Sequence, residues 1–140
     1  MWASRVTVYA VQCRVMQPAD RLELHELPGR YGDAIDDRDW PRLARIFTED
    51  AVFDIVDLGG PALQGLAAIQ QYMDTEAAHP KTHLMTNIYV DETGEGVKLY
   101  FRLVAMLSGG KMGTASYNDD VVKTADGWRV KHRVVTLRRP

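Results

Sequence analysis

The sequence predicts an α+β domain in which helices come first and a curved, mainly antiparallel sheet comes last. Three segments of the N-terminal half carry apolar residues at helical spacing: "ADRLELHELPGRYGDAIDD", "DWPRLARIFTED" and "LAAIQQYMDTEAA". Four segments of strand character follow, separated by the short turns "ETGE", "GGKM" and "ADG". Short turns make consecutive strands antiparallel neighbours. We therefore expect three helices packed on a curled sheet that encloses a pocket on its concave face.

The first two helical segments have their own start signals. Asp20 is the predicted N-cap of the first helix, and Pro28-Gly29 predicts a kink or a restart within it. The second helix has Asp39 as its predicted N-cap and Pro41 in its first turn. The segment "AVFDIVDL" reads as a strand that ends at "GGP". The predicted inward faces of the helices are Leu24, Leu27, Tyr31, Ala34 and Ile35, then Leu43, Ile46 and Phe47, then Leu66, Ile69, Tyr72 and Met73.

Composition limits the classes of function. The chain has 140 residues, enough for one domain with a real core. We interpret residues 1–15 as an N-terminal extension and residues 16–140 as the domain. A net charge of −2 gives no attraction to nucleic acid, and no apolar run approaches the roughly 18 residues of a membrane span. The lone Cys13 excludes an internal disulfide and favours a reducing, cytoplasmic location.

Aspartates crowd the stretch "YGDAIDDRDWPRL". With Tyr31 at the centre of the apolar face, Asp33, Asp36 and Asp37 all fall to the other side of the helix, and Asp39 is committed to capping. A solvated helix end is the simplest interpretation of this pattern. Periodicity does not single out one of the acids for chemistry.

Histidines are the other candidates for chemistry. His79 and His83 have the spacing of two metal ligands on a helix, but Pro80 lies between them, and we predict no metal site. His83 enters the strand "THLMTNIYVD", where alternation places it on one face with Met85, Asn87 and Tyr89. A hydrogen-bonded core histidine is one interpretation and a catalytic histidine is the other. Nucleophile-elbow and nucleotide-binding glycine motifs are absent, so we predict no cofactor.

Taken together, "RYGDAIDDRDWPRLARIFTEDAVFDI", "THLMTNIYVD" and "DGWRVKHRVV" resemble the SnoaL-like branch of the nuclear-transport-factor-2-like (NTF2-like) superfamily, over about residues 20–137. The resemblance implies a cone of three helices closed over a strongly bent sheet. Scytalone dehydratase, hexachlorocyclohexane dehydrochlorinase and bile-acid 7α-dehydratase are the members that this chain resembles at informative positions. They imply catalytic roles for Asp36 and His83, with Tyr31 and Arg133 as further catalytic residues. An alternative gap placement aligns His79 in place of His83, and no acid in the central strand matches that of the bile-acid enzyme.

The resemblance implies a cofactor-independent lyase or isomerase of the dehydratase type, in which an Asp–His pair abstracts a proton. Its expected ligand is a small apolar cyclic molecule, steroid-like or polyketide-like, and its expected assembly is a homodimer or higher homo-oligomer. Alternatives are an epoxide hydrolase or polyketide cyclase acting in the same pocket, or a non-catalytic binding or dimerisation module. The residues expected to line the pocket are Trp40, Phe53, Tyr72, Met85 and Met106.

Overall fold

The computed structural model describes residues 15–75, 79–80 and 82–139. Three helices precede most of the sheet: α1 (Pro18–Asp36), the short α2 (Trp40–Leu43) and α3 (Leu66–Thr75). The strands are β1 (Phe47–Asp54), β2 (Ala62–Gln64), β3 (Thr82–Thr93), β4 (Gly96–Met106), β5 (Met112–Thr124) and β6 (Gly127–Leu137). The predicted extension over residues 1–15 lies, except for Val15, outside the described residues.

The sheet has six strands in the order β2-β1-β6-β5-β4-β3. The strands β3 to β6 form the predicted antiparallel meander, and β1 joins it parallel to β6. The concave face carries the apolar core, and α1 packs across it against β3. This is the expected α+β cone. No helix in the described part of the chain is long and apolar enough to cross a membrane.

The long helix α1 differs from the sequence prediction at its N-terminus and at Pro28. It starts one residue after Gln17, with Pro18 in its first turn, so Asp20 is not the N-cap. Asp20 instead accepts a hydrogen bond from the indole Nε1 of Trp128 at 3.0 Å. Pro28 lies inside the continuous helix, where it is buried. Tertiary packing of the apolar face outweighs the helix-breaking tendency of proline here.

The second helical segment is shorter than predicted, although Asp39 caps it by accepting from the backbone N of Arg42 at 3.0 Å. The helix ends at Leu43, and Phe47 already begins β1. Backbone pairing explains the difference, because Val130 of β6 donates to the carbonyl of Ile46 at 2.7 Å. Ile46 and Phe47 are buried as predicted, but in a turn and a strand.

A β-bulge in β3 changes which residues face the core. Asn87 has a positive φ of 51°, and the pairing with β4 shifts between Thr86 and Tyr89. The predicted alternation is therefore wrong beyond Asn87: Tyr89 is exposed and Val90 is buried. The bulge lies four residues beyond His83, so the inward direction of His83 is unaffected.

Candidate active site

The Asp36 carboxylate and the His83 imidazole meet where α1 ends and β3 begins. His83 Nδ1 lies 2.6 Å from Asp36 Oδ1. The other carboxylate oxygen, Oδ2, accepts from the backbone N of His83 at 2.9 Å and from Thr82 Oγ1 at 3.1 Å. The His83 side chain is 8% exposed and that of Asp36 is 18% exposed. Three hydrogen bonds from the first two residues of β3 therefore hold Asp36, the last residue of α1.

This contact fixes the proton on the imidazole of His83. An ionised carboxylate only accepts hydrogen bonds, so Nδ1 carries the proton toward Asp36. In the neutral ring, Nε2 then has the lone pair and is the nitrogen available for proton transfer. The carboxylate also stabilises the imidazolium that would form when Nε2 takes up a proton.

His83 lines a cavity of about 220 Å³ between α1, α3 and the sheet. Tyr31, Phe53 and Tyr72, all singled out from the sequence, belong to its wall. The Tyr31 ring meets the His83 ring edge-on, with centroids 6.4 Å apart. Asp36 lies behind His83, outside the cavity wall. The other residues of the wall are Ile35, Ile55, Leu58, Gly60, Met73, His79 and Tyr117.

Three residues predicted to line this cavity lie elsewhere. Trp40 begins α2 and packs against the outside of the hydrophobic core. Met85 lines a separate open cleft between α1 and β3, because α1 comes so close at Gly32 that a Cβ there would lie 3.3 Å from Met85 Cε. Met106 ends β4 and is 48% exposed. Contrary to the sequence prediction, these three residues do not line this cavity.

Arg133 points inward but lies behind the cavity wall. Its side chain is fully buried, and its guanidinium carbon lies 4.1 Å from the centroid of the Tyr31 ring. Four further aromatic rings lie within 5.5 Å of that carbon: Phe47, Phe53, Phe101 and Tyr117. Such contacts stabilise a buried cation and fix the rings against it. Arg133 is therefore placed to position Tyr31, and it is not among the described residues that line the cavity.

Asp119 is the buried acid that sequence reasoning missed. It lies in β5 opposite Arg133 of β6, and its oxygens accept from Arg133 Nε at 2.8 Å and Nη2 at 2.7 Å. Both side chains are fully buried, so the pair is shielded from water. From the sequence, no acid was matched to the central-strand acid of the bile-acid enzyme; the structure shows that β5 carries the buried Asp119. The available signal was alternation: Asp119 shares the inward face of β5 with Ala115, Tyr117 and Val121.

Burial keeps the phenols of two of the three tyrosines in the wall, Tyr31 and Tyr117, protonated. It raises the pKa of Tyr31 and raises that of Tyr117 well above its ordinary value. Burial by itself would lower the pKa of Arg133, but the Asp119 carboxylate more than offsets this and the pKa is raised. The two phenols are therefore neutral hydrogen-bond donors, and the Arg133 guanidinium lies over their rings.

His79, the rival for His83 in the sequence, lines the same cavity but has a different partner. Its Nε2 is hydrogen-bonded to the backbone carbonyl of Met73 in α3. A neutral carbonyl stabilises a proton gained by an imidazole less than the carboxylate of Asp36 does. Of the two, His83 therefore has the better arrangement for a base. Within the described residues, no group of three or more His, Cys, Asp or Glu side chains could hold a metal ion.

The fold and this site define a class of protein. It is a cone-shaped α+β domain with an acid–histidine pair at the wall of an aromatic cavity. Comparison with known proteins gives the family. Residues 17–134 match the SnoaL-like domain, so the chain belongs to the SnoaL-like family. An uncharacterized protein of Mycobacterium tuberculosis strain H37Rv is 32% identical over 133 residues, covering 87% of this chain and 88% of that protein.

Solved structures agree with the fold. An NTF2-like protein with a cystatin-like fold from Novosphingobium aromaticivorans superposes with a TM-score of 0.72 at 24% identity, covering 85% of this chain and 82% of that one. A second protein of that organism, provisionally named an aromatic ring hydroxylase, has a TM-score of 0.72 at 25% identity, covering 90% and 94%. A cystatin-fold protein from Nostoc punctiforme has a TM-score of 0.74 at 18% identity, covering 88% and 94%. The expected NTF2-like cone is thereby confirmed.

Proposed function

We propose that this protein is a cofactor-independent lyase or isomerase in which His83 abstracts a proton from a carbon acid. The observation that carries the proposal is the 2.6 Å contact between Asp36 Oδ1 and His83 Nδ1 at the wall of an aromatic cavity. Two more hydrogen bonds hold Asp36 in place, so the imidazole is oriented before a ligand arrives. General-base catalysis of this kind contributes roughly 10²–10⁴-fold to a rate.

The cavity restricts the substrate by size and chemistry. Pockets for drug-sized ligands measure roughly 300–1,000 Å³, so about 220 Å³ suits a smaller molecule of one or two rings. Of the expected ligand types, a small polyketide-like ring therefore fits better than a four-ring steroid. Walls built from Phe53, Tyr31 and Tyr117 favour a flat, apolar ring. The provisional name of the N. aromaticivorans hydroxylase, which refers to an aromatic ring, is consistent with such a ligand.

The charge that develops on the substrate needs a partner. When a proton leaves the carbon beside a carbonyl, negative charge moves to the carbonyl oxygen. Of the hydroxyl groups in the wall, we assign the neutral phenols of Tyr31 and Tyr117 as the donors to this oxygen, because Arg133 supports them from behind. In this scheme Asp36 and His83 act on the carbon, the two phenols act on the oxygen, and Arg133 positions Tyr31.

Kinetics of variants test the proposal. We expect His83→Gln and Asp36→Asn each to lower kcat/KM for elimination from cyclic β-hydroxy ketones by at least about 10²-fold. His132→Gln is the matched control, because His132 also faces an aspartate, Asp120 at 3.7 Å, but on the outer face of the sheet. Full activity of either dyad variant contradicts the proposal. Wild-type protein that binds such ketones without converting them identifies a binding module instead, and conversion of epoxides alone identifies a hydrolase.

The setting of this activity remains a prediction from the sequence. A cytoplasmic location rests on the lone cysteine, and a homodimer rests on the family resemblance. Neither is needed for the chemistry, because every residue of the proposed site comes from one chain.

A further inference from the structure

We propose that His79 is the acid of the same reaction: it protonates the departing oxygen while His83 removes the proton from carbon. This inference rests on the proposed function and extends it by a second proton-transfer residue. Its starting point is that two histidines, His79 before β3 and His83 within β3, line one small cavity. His83 is hydrogen-bonded to a carboxylate and His79 to a backbone carbonyl, and this difference gives the two rings different roles.

The tautomer of each ring follows from its partner. The carbonyl of Met73 can only accept a hydrogen bond, so Nε2 of His79 carries a proton. The remaining nitrogen of His79 is Nδ1, whereas the remaining nitrogen of His83 is Nε2, because Asp36 occupies its Nδ1. One ring is held by an anion and the other by a neutral carbonyl. The two histidines that line the cavity are therefore held by different ring nitrogens.

The position of His79 suits a proton donor. Met73 lies in the last described turn of α3 (Leu66–Thr75), and its carbonyl points toward the negative end of the helix dipole. A cation is favourable at this end of a helix. Asp36, in contrast, suits His83 to receive a proton during the reaction. The two environments thus separate a donor from an acceptor within one site.

The step balances as a dehydration. Nε2 of His83 takes the proton from the carbon beside the carbonyl, and the C–H electron pair forms the new carbon–carbon double bond. The C–O bond at the β carbon breaks with its electrons, and the proton on Nδ1 of cationic His79 joins the leaving oxygen to give water. Solvent then removes the proton from His83 and returns one to His79. The substrate class is a cyclic β-hydroxy ketone, and no oxidant or cofactor is consumed.

A leaving-group comparison tests this role. The probes are β-hydroxycyclohexanone, whose hydroxyl needs protonation to depart, and β-acetoxycyclohexanone, whose acetate does not. The variant is His79→Gln, whose amide can keep the hydrogen bond to Met73 but has no titratable nitrogen. We expect elimination of the hydroxyl to fall by at least about 10²-fold. Elimination of acetate and deuterium exchange beside the carbonyl should change by less than about 3-fold, because neither needs the acid. His25→Gln, at an exposed position of α1, is the control.

Each outcome decides between roles. Equal loss for both leaving groups shows that His79 only shapes the cavity, and unchanged hydroxyl elimination shows that it has no role; either result overturns the inference while leaving His83 as the base. Wild-type protein that neither exchanges deuterium nor eliminates either group overturns the proposed function and this inference with it. Selective loss of hydroxyl elimination, with exchange retained, supports both.

Discussion

Replacing Asp119 by alanine leaves the Arg133 guanidinium buried without its anion. Two charge-assisted hydrogen bonds, of 2.8 and 2.7 Å, are lost at a site where neither side chain is exposed to water. Nη1 of Arg133 already makes no hydrogen bond within the described part of the chain. Breaking a buried pair on one side costs about 3–5 kcal/mol, because the remaining charge is not solvated. A domain is stable by only about 5–15 kcal/mol, so this loss is a large fraction of the total.

Urea denaturation followed by circular dichroism measures the effect. We expect Asp119→Ala to lower the free energy of unfolding by about 3–5 kcal/mol and the Tm by about 10–15 °C. The neighbouring Asp120 is the control: its ion pair with Lys98 is on the outer face, so Asp120→Ala should cost at most about 1 kcal/mol. Equal effects of the two changes would refute the reasoning.

A second variant guards against a protein that does not fold. Asp119→Leu combined with Arg133→Met removes both charges and keeps most of the volume, so we expect it to be more stable than Asp119→Ala. If the double variant is less stable than the single one, the cost arises from packing and not from the unpaired charge.

Two further predictions concern the cavity wall and the helix beside it. Because burial raises the pKa of Tyr31 and Tyr117, two tyrosines should ionise later than the rest in a near-ultraviolet absorbance titration. The unfolded chain then loses these protons first, so stability should hold below about pH 10 and decline above it; simultaneous ionisation of all tyrosines would contradict this. In α1, Gly29→Ala should raise the free energy of unfolding by about 0.5–1 kcal/mol, since a Cβ there meets nothing within 4 Å. Gly32→Ala should gain less, because its Cβ would press on Met85; an equal gain in urea denaturation would contradict the close packing.

The fold was largely predictable because its signals are local. Apolar residues at helical spacing placed the inward face of α1, and turn residues placed the four strands of the meander. What local signals could not give were the corrections imposed by pairing and packing. The bulge at Asn87 requires a positive φ that the amino-acid sequence of β3 does not specify. The short α2 ends early because the backbone carbonyl of Ile46 accepts a hydrogen bond from Val130 of β6.

The candidate site was predictable only in part, and for a different reason. Periodicity placed Asp36 on the outer side of α1 and could not choose it; the resemblance to known enzymes did. The structure gives the reason: Asp36 is the last residue of α1, and its side chain extends past the end of the helix to the first residues of β3. The residues that line the cavity were harder to predict. Met85 packs against α1 and Met106 ends β4, and both positions depend on the whole tertiary structure.

The deuterium content of a cyclic ketone after incubation with the protein in heavy water tests the central claim most directly. It reports proton abstraction at carbon whatever group later departs. Wild-type protein is predicted to exchange the proton beside the carbonyl of cyclohexanone probes, and His83→Gln is predicted to exchange it at least about 10²-fold more slowly. Equal exchange by wild-type protein and His83→Gln would contradict the assignment of His83 as the base.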